Sequence, residues 1–284
     1  MNRTVYLNGQ YLPEDQAKVS IFDRAVLFGD AIYEVAGLID GKLIDFDAHM
    51  QRYRRSLGEL QIPVPLERDE ILSAFRKLVE LNQITEGLVY LQVTRGEADR
   101  DFVWQDNLKP TVFMFTQHKM SVDNEAINTG VRLKSVDDIR WARRDIKSVN
   151  LLGQVLAKKS ASDAGAYEAL LVDTDGYVTE CGATSFFIAK DELLLTRPLG
   201  NEILPGVTRK AVVALCNTHG IRLVETKFLL DDALKADEAF ISGASIYVLP
   251  VVQIDDQIIG DGAPGHLFKK LRELYIEHAR NAAI

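Results

Sequence analysis

A lysine placed just ahead of a helical pattern is the residue in this chain best suited to chemistry. Arg143-Arg144-Asp145-Ile146-Lys147-Ser148-Val149-Asn150 runs into Leu151-Leu152-Gly153-Gln154-Val155-Leu156. Leu152, Val155 and Leu156 recur at i, i+3 and i+4, which predicts a helix that starts soon after Ser148 and buries this stripe. Lys147 then precedes a helix N-terminus, where the macrodipole disfavours a cation and favours the neutral, nucleophilic amine. Such an amine suits Schiff-base chemistry with a carbonyl compound. The alternative is an ordinary solvated lysine behind an Arg/Asp turn.

Further segments offer groups for an anion and for a ring nitrogen. Leu204-Pro205-Gly206-Val207-Thr208-Arg209 leads into a helix with Ala211, Ala214 and Leu215 on one face. Gly206 permits a tight approach, Val207 and Thr208 present first-turn amides, and the Thr208 hydroxyl adds a donor, together a phosphate cradle. Ser242-Gly243-Ala244-Ser245 is a second small, hydroxyl-bearing turn, equally readable as an ordinary turn. Glu180 stands at a strand end before Cys181-Gly182-Ala183-Thr184, where it can pair with a protonated pyridine nitrogen or simply face solvent. Arg52, on a helix with Arg54 and Arg55, is within the class of residues that reach a phosphate, or is part of a solvated face. One ligand accounts for an amine, a carboxylate and two phosphate cradles: pyridoxal 5'-phosphate.

The elements that must position these groups fall into two domains. Asn8-Gly9, between Val5-Tyr6-Leu7 and Gln10-Tyr11-Leu12, predicts a hairpin. Ala31 to Ile39 reads as a strand with Tyr33, Val35 and Gly37 on one face, turned by Asp40-Gly41. Asp47 is placed to cap a helix burying Met50, Tyr53, Leu57 and Leu60; a second helix buries Ile71, Ala74, Phe75 and Leu78. Strands at 88–95 and 111–116 flank a charged loop over 96–109. The expected fold class is α+β: a small N-terminal α/β sandwich over 1–117, a polar linker over 118–128, and a larger C-terminal pseudo-barrel over 129–284 with helices outside.

Composition narrows the function. A 284-residue chain, 47% hydrophobic and 26% charged, is long enough for two cores, since single cores stop growing near ~250–300 residues. A net charge of -8 argues against nucleic acid or an anionic membrane as the main partner. Cys181 and Cys216 form neither a disulfide framework nor a metal motif, so no metal is expected. The first residues carry no apolar signal segment and no run approaches membrane-spanning length, so a cytoplasmic location is expected.

Asp145-Ile146-Lys147-Ser148-Val149-Asn150-Leu151-Leu152-Gly153, with Phe28-Gly29-Asp30-Ala31-Ile32-Tyr33-Glu34-Val35, resembles the D-amino-acid transaminase branch of the pyridoxal-phosphate enzymes. Branched-chain aminotransferases and aminodeoxychorismate lyases belong to the same group. The resemblance takes in Tyr90-Leu91-Gln92-Val93-Thr94-Arg95-Gly96, Val178-Thr179-Glu180 and Leu204-Pro205-Gly206-Val207-Thr208-Arg209, and runs nearly the full chain. It implies Lys147 as the Schiff-base lysine, Glu180 as partner of the pyridine nitrogen, and Arg52 as the phosphate-binding arginine. Val207 and Thr208 match the helix-start phosphate contacts, Ala244 and Ser245 the second turn, and Leu204 the residue packed on the ring. Tyr33 and Arg100 match two members of the substrate-carboxylate trap, the arginine coming from the neighbouring subunit, which implies a homodimer.

Two departures bear on substrate. Where the family's D-amino-acid enzymes carry Arg-x-His, this chain has Arg100-Asp101-Phe102, and the asparagine-containing turn after the glutamate becomes Gly182-Ala183-Thr184-Ser185. The activity implied is ping-pong transfer of an amino group from a D-amino acid to a 2-oxo acid. The alternatives are a branched-chain L-amino-acid aminotransferase, an R-selective amine transaminase, aminodeoxychorismate lyase, or a cofactor-binding protein without catalysis.

Overall fold

A computed structural model describes residues 3–284. The chain forms two compact units. The first holds the chain up to Met120 together with Ile146–Asn150 and Ala282–Ile284; the second holds Ser121–Asp145 and Leu151–Asn281.

The first unit opens with the expected hairpin, β1 (Thr4–Leu7) and β2 (Gln10–Pro13). Its turn has Asn8 at φ 47° and Gly9 at φ 91°, the positive values that a two-residue hairpin turn requires. The helix α1 (Arg24–Phe28) is capped by the Asp23 carboxylate on the Ala25 N–H and stopped by Gly29 at φ 67°. There follow β3 (Ala31–Ile39), β4 (Lys42–Leu43), α2 (Phe46–Glu59), α3 (Arg68–Leu81), β5 (Gly87–Thr94) and β6 (Val112–His118). The six strands pair in the order β2-β1-β6-β5-β3-β4. Strand alternation sorts the side chains into two faces. Ile32, Ala36, Leu38, Val89, Leu91 and Val93 share a core with Met50, Tyr53 and Leu57 of α2 and Phe75 and Leu78 of α3. The opposite face carries Tyr33, Val35 and Gly37, in register with Gln92, Tyr90 and Leu88. Asp45, not Asp47, is the residue before α2; Asp47 lies in the first turn, where a carboxylate still meets the positive helix end.

Ile146–Asn150 joins this unit for a local reason. The Tyr33 N–H donates to the Lys147 carbonyl at 2.9 Å and the Val149 N–H to the Ala31 carbonyl at 3.1 Å, so the segment lies along the start of β3. Ile146 is buried in the same core. The break after Met120 falls within the span 118–128 that the sequence reads as a linker, while Ile146–Asn150, within the range expected for the C-terminal domain, group with the first unit.

The second unit contains α4 (Ala126–Thr129), β7 (Val131–Asp137), α5 (Leu152–Asp163), β8 (Glu168–Val172), β9 (Val178–Cys181), β10 (Ser185–Lys190) and β11 (Leu193–Thr196). It continues through α6 (Val207–Thr218), β12 (Leu223–Glu225), α7 (Leu230–Leu234), β13 (Glu238–Gly243), β14 (Tyr247–Ile254), β15 (Gln257–Ile258) and α8 (His266–Ala282). Its strands form one sheet in the order β12-β11-β10-β13-β14-β7-β8-β9, with β15 on β14. Irregular register at Val251/Gln253 and at Leu170/Val172 adds local twist, and the sheet curls around a core of Leu133, Leu170, Phe186, Ile188, Ile241 and Leu249. The fold class is α+β.

The stripe that predicted α5 is not buried. Leu152, Val155 and Leu156 are 71%, 57% and 53% exposed, and α5 instead packs through Ala157 and Ala161 against Ala169 and Leu171 of β8. The helix begins at Leu152, five residues after Lys147, so the lysine does not stand at its first turn, where the dipole acts.

Candidate active site

In the first unit, Lys147 is fixed through its backbone and left free at its tip. Its carbonyl accepts from Tyr33 and its N–H donates to the Ser56 hydroxyl at 3.3 Å. Ser148 pairs with Ile32, which turns Lys147 to the same face as Tyr33. The Lys147 Nζ lies 4.1 Å from the centre of the Tyr33 ring, and no carboxylate pairs with it among the described residues. Tyr33 stacks on Tyr90 at 5.6 Å and Tyr90 on Phe115 at 4.6 Å, while the Tyr90 hydroxyl donates to Gln92 Oε1 at 2.8 Å. Burial, and then the nearby Tyr33, raise the Tyr90 phenol above its ordinary value, so it acts as a neutral donor.

Below that face lies a buried ionic cluster. Arg52 donates from Nε and Nη2 to the two oxygens of Glu34 at 2.8 and 2.7 Å, and His49 Nδ1 meets Glu34 Oε2 at 2.8 Å. Burial pushes the Glu34 carboxyl up, but the Arg52 charge and hydrogen bonds and the His49 contact outweigh it and bring the group to about 2. The sequence pointed to Arg52 but not to Glu34 or His49. The available signal was a carboxylate at the covered face of β3, between Ile32 and Ala36, where an acid requires a cation.

Arg100 lies on the exposed loop after β5. Its guanidinium sits 5.6 Å from the Phe28 ring centre and 5.5 Å from that of Phe102.

In the second unit, Glu180 lies near the end of β9 and is buried. Its Oε1 accepts from Arg140 Nη1 at 2.6 Å and from the Leu204 N–H at 3.1 Å. Arg140 in turn forks onto Asp138, Nε to Oδ1 at 2.9 Å and Nη2 to Oδ2 at 2.7 Å, and the Thr179 hydroxyl donates to Asp138 Oδ2 at 2.7 Å. Arg144 adds a second cation 3.4 Å from Asp138. Burial raises the Glu180 carboxyl above its ordinary range despite Arg140, whereas Asp138, also lifted by burial, is held below its range by Arg140 and Thr179. Both protein hydrogen bonds to Glu180 fall on Oε1, so Oε2 remains for a further cationic donor.

The residues expected to bind an anion lie on three elements of this unit. Gly206 precedes α6 without a capping side chain, and Val207 and Thr208 are buried in its first turn. A Cβ on Gly206 would stand 2.8 Å from the Ser185 hydroxyl, and Ser185 is the direct partner of Ser242 across β10 and β13. Ser242 is only 2% exposed, and its hydroxyl has no hydrogen-bond partner among the described residues. Ala244 and Ser245 follow in the β13–β14 turn, where the Ser245 carbonyl accepts from the Ser121 hydroxyl at 2.8 Å. A helix N-terminus, an approach that only glycine permits and a buried hydroxyl without a partner among the described residues are groups of the kind that bind an anion.

The profile of the amino-transferase class IV family matches residues 31–254. The chain belongs to that family. This class IV aminotransferase is 39% identical over 268 residues to a D-alanine aminotransferase of Bacillus licheniformis, covering 94% of each chain. It is 35% identical to a D-alanine aminotransferase of Staphylococcus aureus over 99% of both. In fold it matches the branched-chain aminotransferase of Thermobaculum terrenum, solved in its pyridoxal-phosphate form, with a TM-score of 0.88 at 22% identity, covering 100% of this chain and 98% of that one. Among the described residues no group of three or more His, Cys, Asp or Glu could hold a metal ion, and no helix is long and apolar enough to cross a membrane.

Proposed function

We propose that this class IV aminotransferase moves an amino group from a D-amino acid to a 2-oxo acid with pyridoxal 5'-phosphate as cofactor. The observation that carries this reading is the similarity to D-alanine aminotransferases over 94–99% of the chain, beside a Lys147 that stands over Tyr33 with no carboxylate partner among the described residues. The donor set suits the cofactor. Glu180 has one oxygen committed to Arg140 and Leu204 and one left for a ring nitrogen, and the first turn of α6 with Ser242 suits a phosphate. In our reading Lys147 bonds the cofactor, and Leu204 packs on its ring. Val207, Thr208, Ala244, Ser245 and Arg52 bind its phosphate, and Tyr33 and Arg100 hold the substrate carboxylate.

When bound, the cofactor supplies the electron sink that makes the substrate Cα proton removable. The chain's own residues do the rest. Lys147, released when the substrate amine takes its place on the cofactor, would take the proton from the substrate Cα and later return it, a transfer favoured by an Nζ that no carboxylate holds among the described residues. The Glu180 carboxylate, anchored by Arg140, keeps a proton on the ring nitrogen. Tyr33 and Arg100 decide the hand of the substrate by fixing where its carboxylate lies, and release of the first oxo acid before the second binds gives ping-pong kinetics.

Two further parts of the proposal concern assembly and place. A homodimer, with Arg100 supplied by the second copy, is supported by exposed apolar groups: Ile21, Phe22, Val26, Phe102 and Val103 on the first unit, and Ile139, Leu152, Val155 and Leu156 on the second. A cytoplasmic location is supported by two cysteines, Cys181 and Cys216, both buried and unpaired.

The test is the half-reaction of the purified, cofactor-loaded protein. D-alanine should change the cofactor absorbance and release pyruvate while L-alanine and L-leucine do not. Preference for L-leucine would make the chain a branched-chain enzyme and refute the proposal.

A further inference from the structure

Arg100 differs from the arginines around it in how it is held. Arg24 and Arg95 both pair with Asp30, at 2.9 and 2.7 Å, and both are buried. Arg100 has neither ion pair nor hydrogen bond among the described residues, although Asp99 and Asp101 flank it in sequence. The Asp101 carboxylate turns to its own loop and accepts the Val103 N–H at 3.1 Å. What touches the Arg100 guanidinium is two aromatic rings, Phe28 and Phe102, themselves 5.4 Å apart. Phe102 is 74% exposed in the single chain, so its place is not explained by filling a core of its own subunit.

The frame behind these rings is rigid. Arg24 lies over Phe28 at 4.6 Å, donates to the Asp101 carbonyl at 2.6 Å and the Phe102 carbonyl at 3.4 Å, and is tied to Asp30. It thereby fixes the backbone on the far side of Arg100 as well as one of its two rings. A ring attracts a guanidinium through its quadrupole and carries no net charge, so the cation is oriented and its N–H fork stays available. A carboxylate in the same place would compete with an incoming acid.

We propose that Phe28 and Phe102 are the positioning residues of Arg100, holding its guanidinium ready for a substrate carboxylate without neutralising it. This rests on the reading above in which Arg100 binds that carboxylate. The side chain at 102 therefore sets affinity for acidic substrates, and leaves carboxylate-free amines untouched.

The experiment is a mutant cycle on the holoenzyme with D-alanine, using Phe102→Leu, Arg100→Ala and the double variant. Phe28→Leu serves as a second probe of the same contact. Loss of an exposed cation–π contact corresponds to about a 2- to 5-fold rise in KM. We expect that rise in Phe102→Leu with kcat kept within about 2-fold. We also expect no further change when Phe102→Leu is added to Arg100→Ala, and no change in the half-reaction with a carboxylate-free primary amine. The inference is overturned if Phe102→Leu and Phe28→Leu leave KM unchanged while Arg100→Ala raises it, or if the Phe102→Leu effect persists without Arg100 or extends equally to the amine. If Arg100→Ala itself leaves KM unchanged, the carboxylate role of Arg100 falls and this inference falls with it.

Discussion

Glu180 and Arg100 are both charged groups for which the family implies an oppositely charged ligand, yet they are held in opposite ways. Glu180 is buried and locked by ionic partners, Arg140 on one oxygen and Asp138 behind Arg140, so that two acids and the two arginines 140 and 144 make a neutral cluster. Arg100 is exposed and, among the described residues, is held by rings alone. On the proposed roles, this difference follows the residence time of each ligand. A permanent cofactor is matched by preorganised, desolvated charges whose arrangement is completed on folding. A substrate that comes and goes at every turnover is met by a cation that keeps its charge and its access to solvent. Glu34, Arg52 and His49 in the first unit belong to the locked kind.

The contrast can be broken at several points. Replacement of Lys147 by alanine should abolish turnover, a loss of at least about 1,000-fold in kcat, because the proton at Cα loses its base. Steady-state assays with D-alanine measure it, and near-normal activity would remove Lys147 from the chemistry. Next in size is Arg140→Met, which leaves Glu180 a buried acid without its cation and takes one of two cations from Asp138. Breaking such a pair costs about 3–5 kcal/mol, visible as a lower denaturant midpoint in the cofactor-free protein. An unchanged midpoint would mean that the grip on Glu180 is not ionic.

Glu34 offers a pH test of the same locked arrangement. Its folded value of about 2 lies below the ordinary carboxyl value of 4.5, so its stabilisation is complete above pH 4.5 and is lost as pH falls toward 2. The shift corresponds to about 3 kcal/mol across that window. Acid unfolding of Glu34→Gln should therefore be flatter between these limits than that of the unaltered protein; parallel curves would show that Glu34 does not gain from Arg52. The smallest effect belongs to the exposed side. Arg100→Ala should raise KM for D-alanine by about 10- to 100-fold, the size of a lost charge-assisted contact, with the denaturant midpoint unmoved. A fall in stability as large as that of Arg140→Met would erase the distinction.

Much of the fold was legible in the sequence because it is written in local patterns. The Asn8-Gly9 hairpin, the shared face of Tyr33, Val35 and Gly37, and the buried stripes of α2 and α3 all follow from short-range periodicity or turn chemistry. Lys147 was found by its motif, but the helix-terminus reason offered for it does not hold, since α5 starts only at Leu152. The α5 stripe shows a related limit: spacing says that Leu152, Val155 and Leu156 share a side, and says nothing about whether this chain covers that side. Arg140 was invisible because it meets Glu180 across 40 residues of sequence, and an ion pair over such a span leaves no periodic trace. The orphaned Ser242 hydroxyl likewise exists only once β10 and β13 are paired.

The chain passes between its two units four times, and the lysine-bearing stretch is one of the stitches. On the ribosome, all six strands of the first unit have emerged with Met120, but Ile146 of its core and the Ile284 backbone partner of Leu43 are still to come. These contacts form only after parts of the second unit have been made. The lysine-bearing stretch is thereby a late contact, and a fragment ending at Met120 would lack both this stretch and the Ile284 backbone pair at β4.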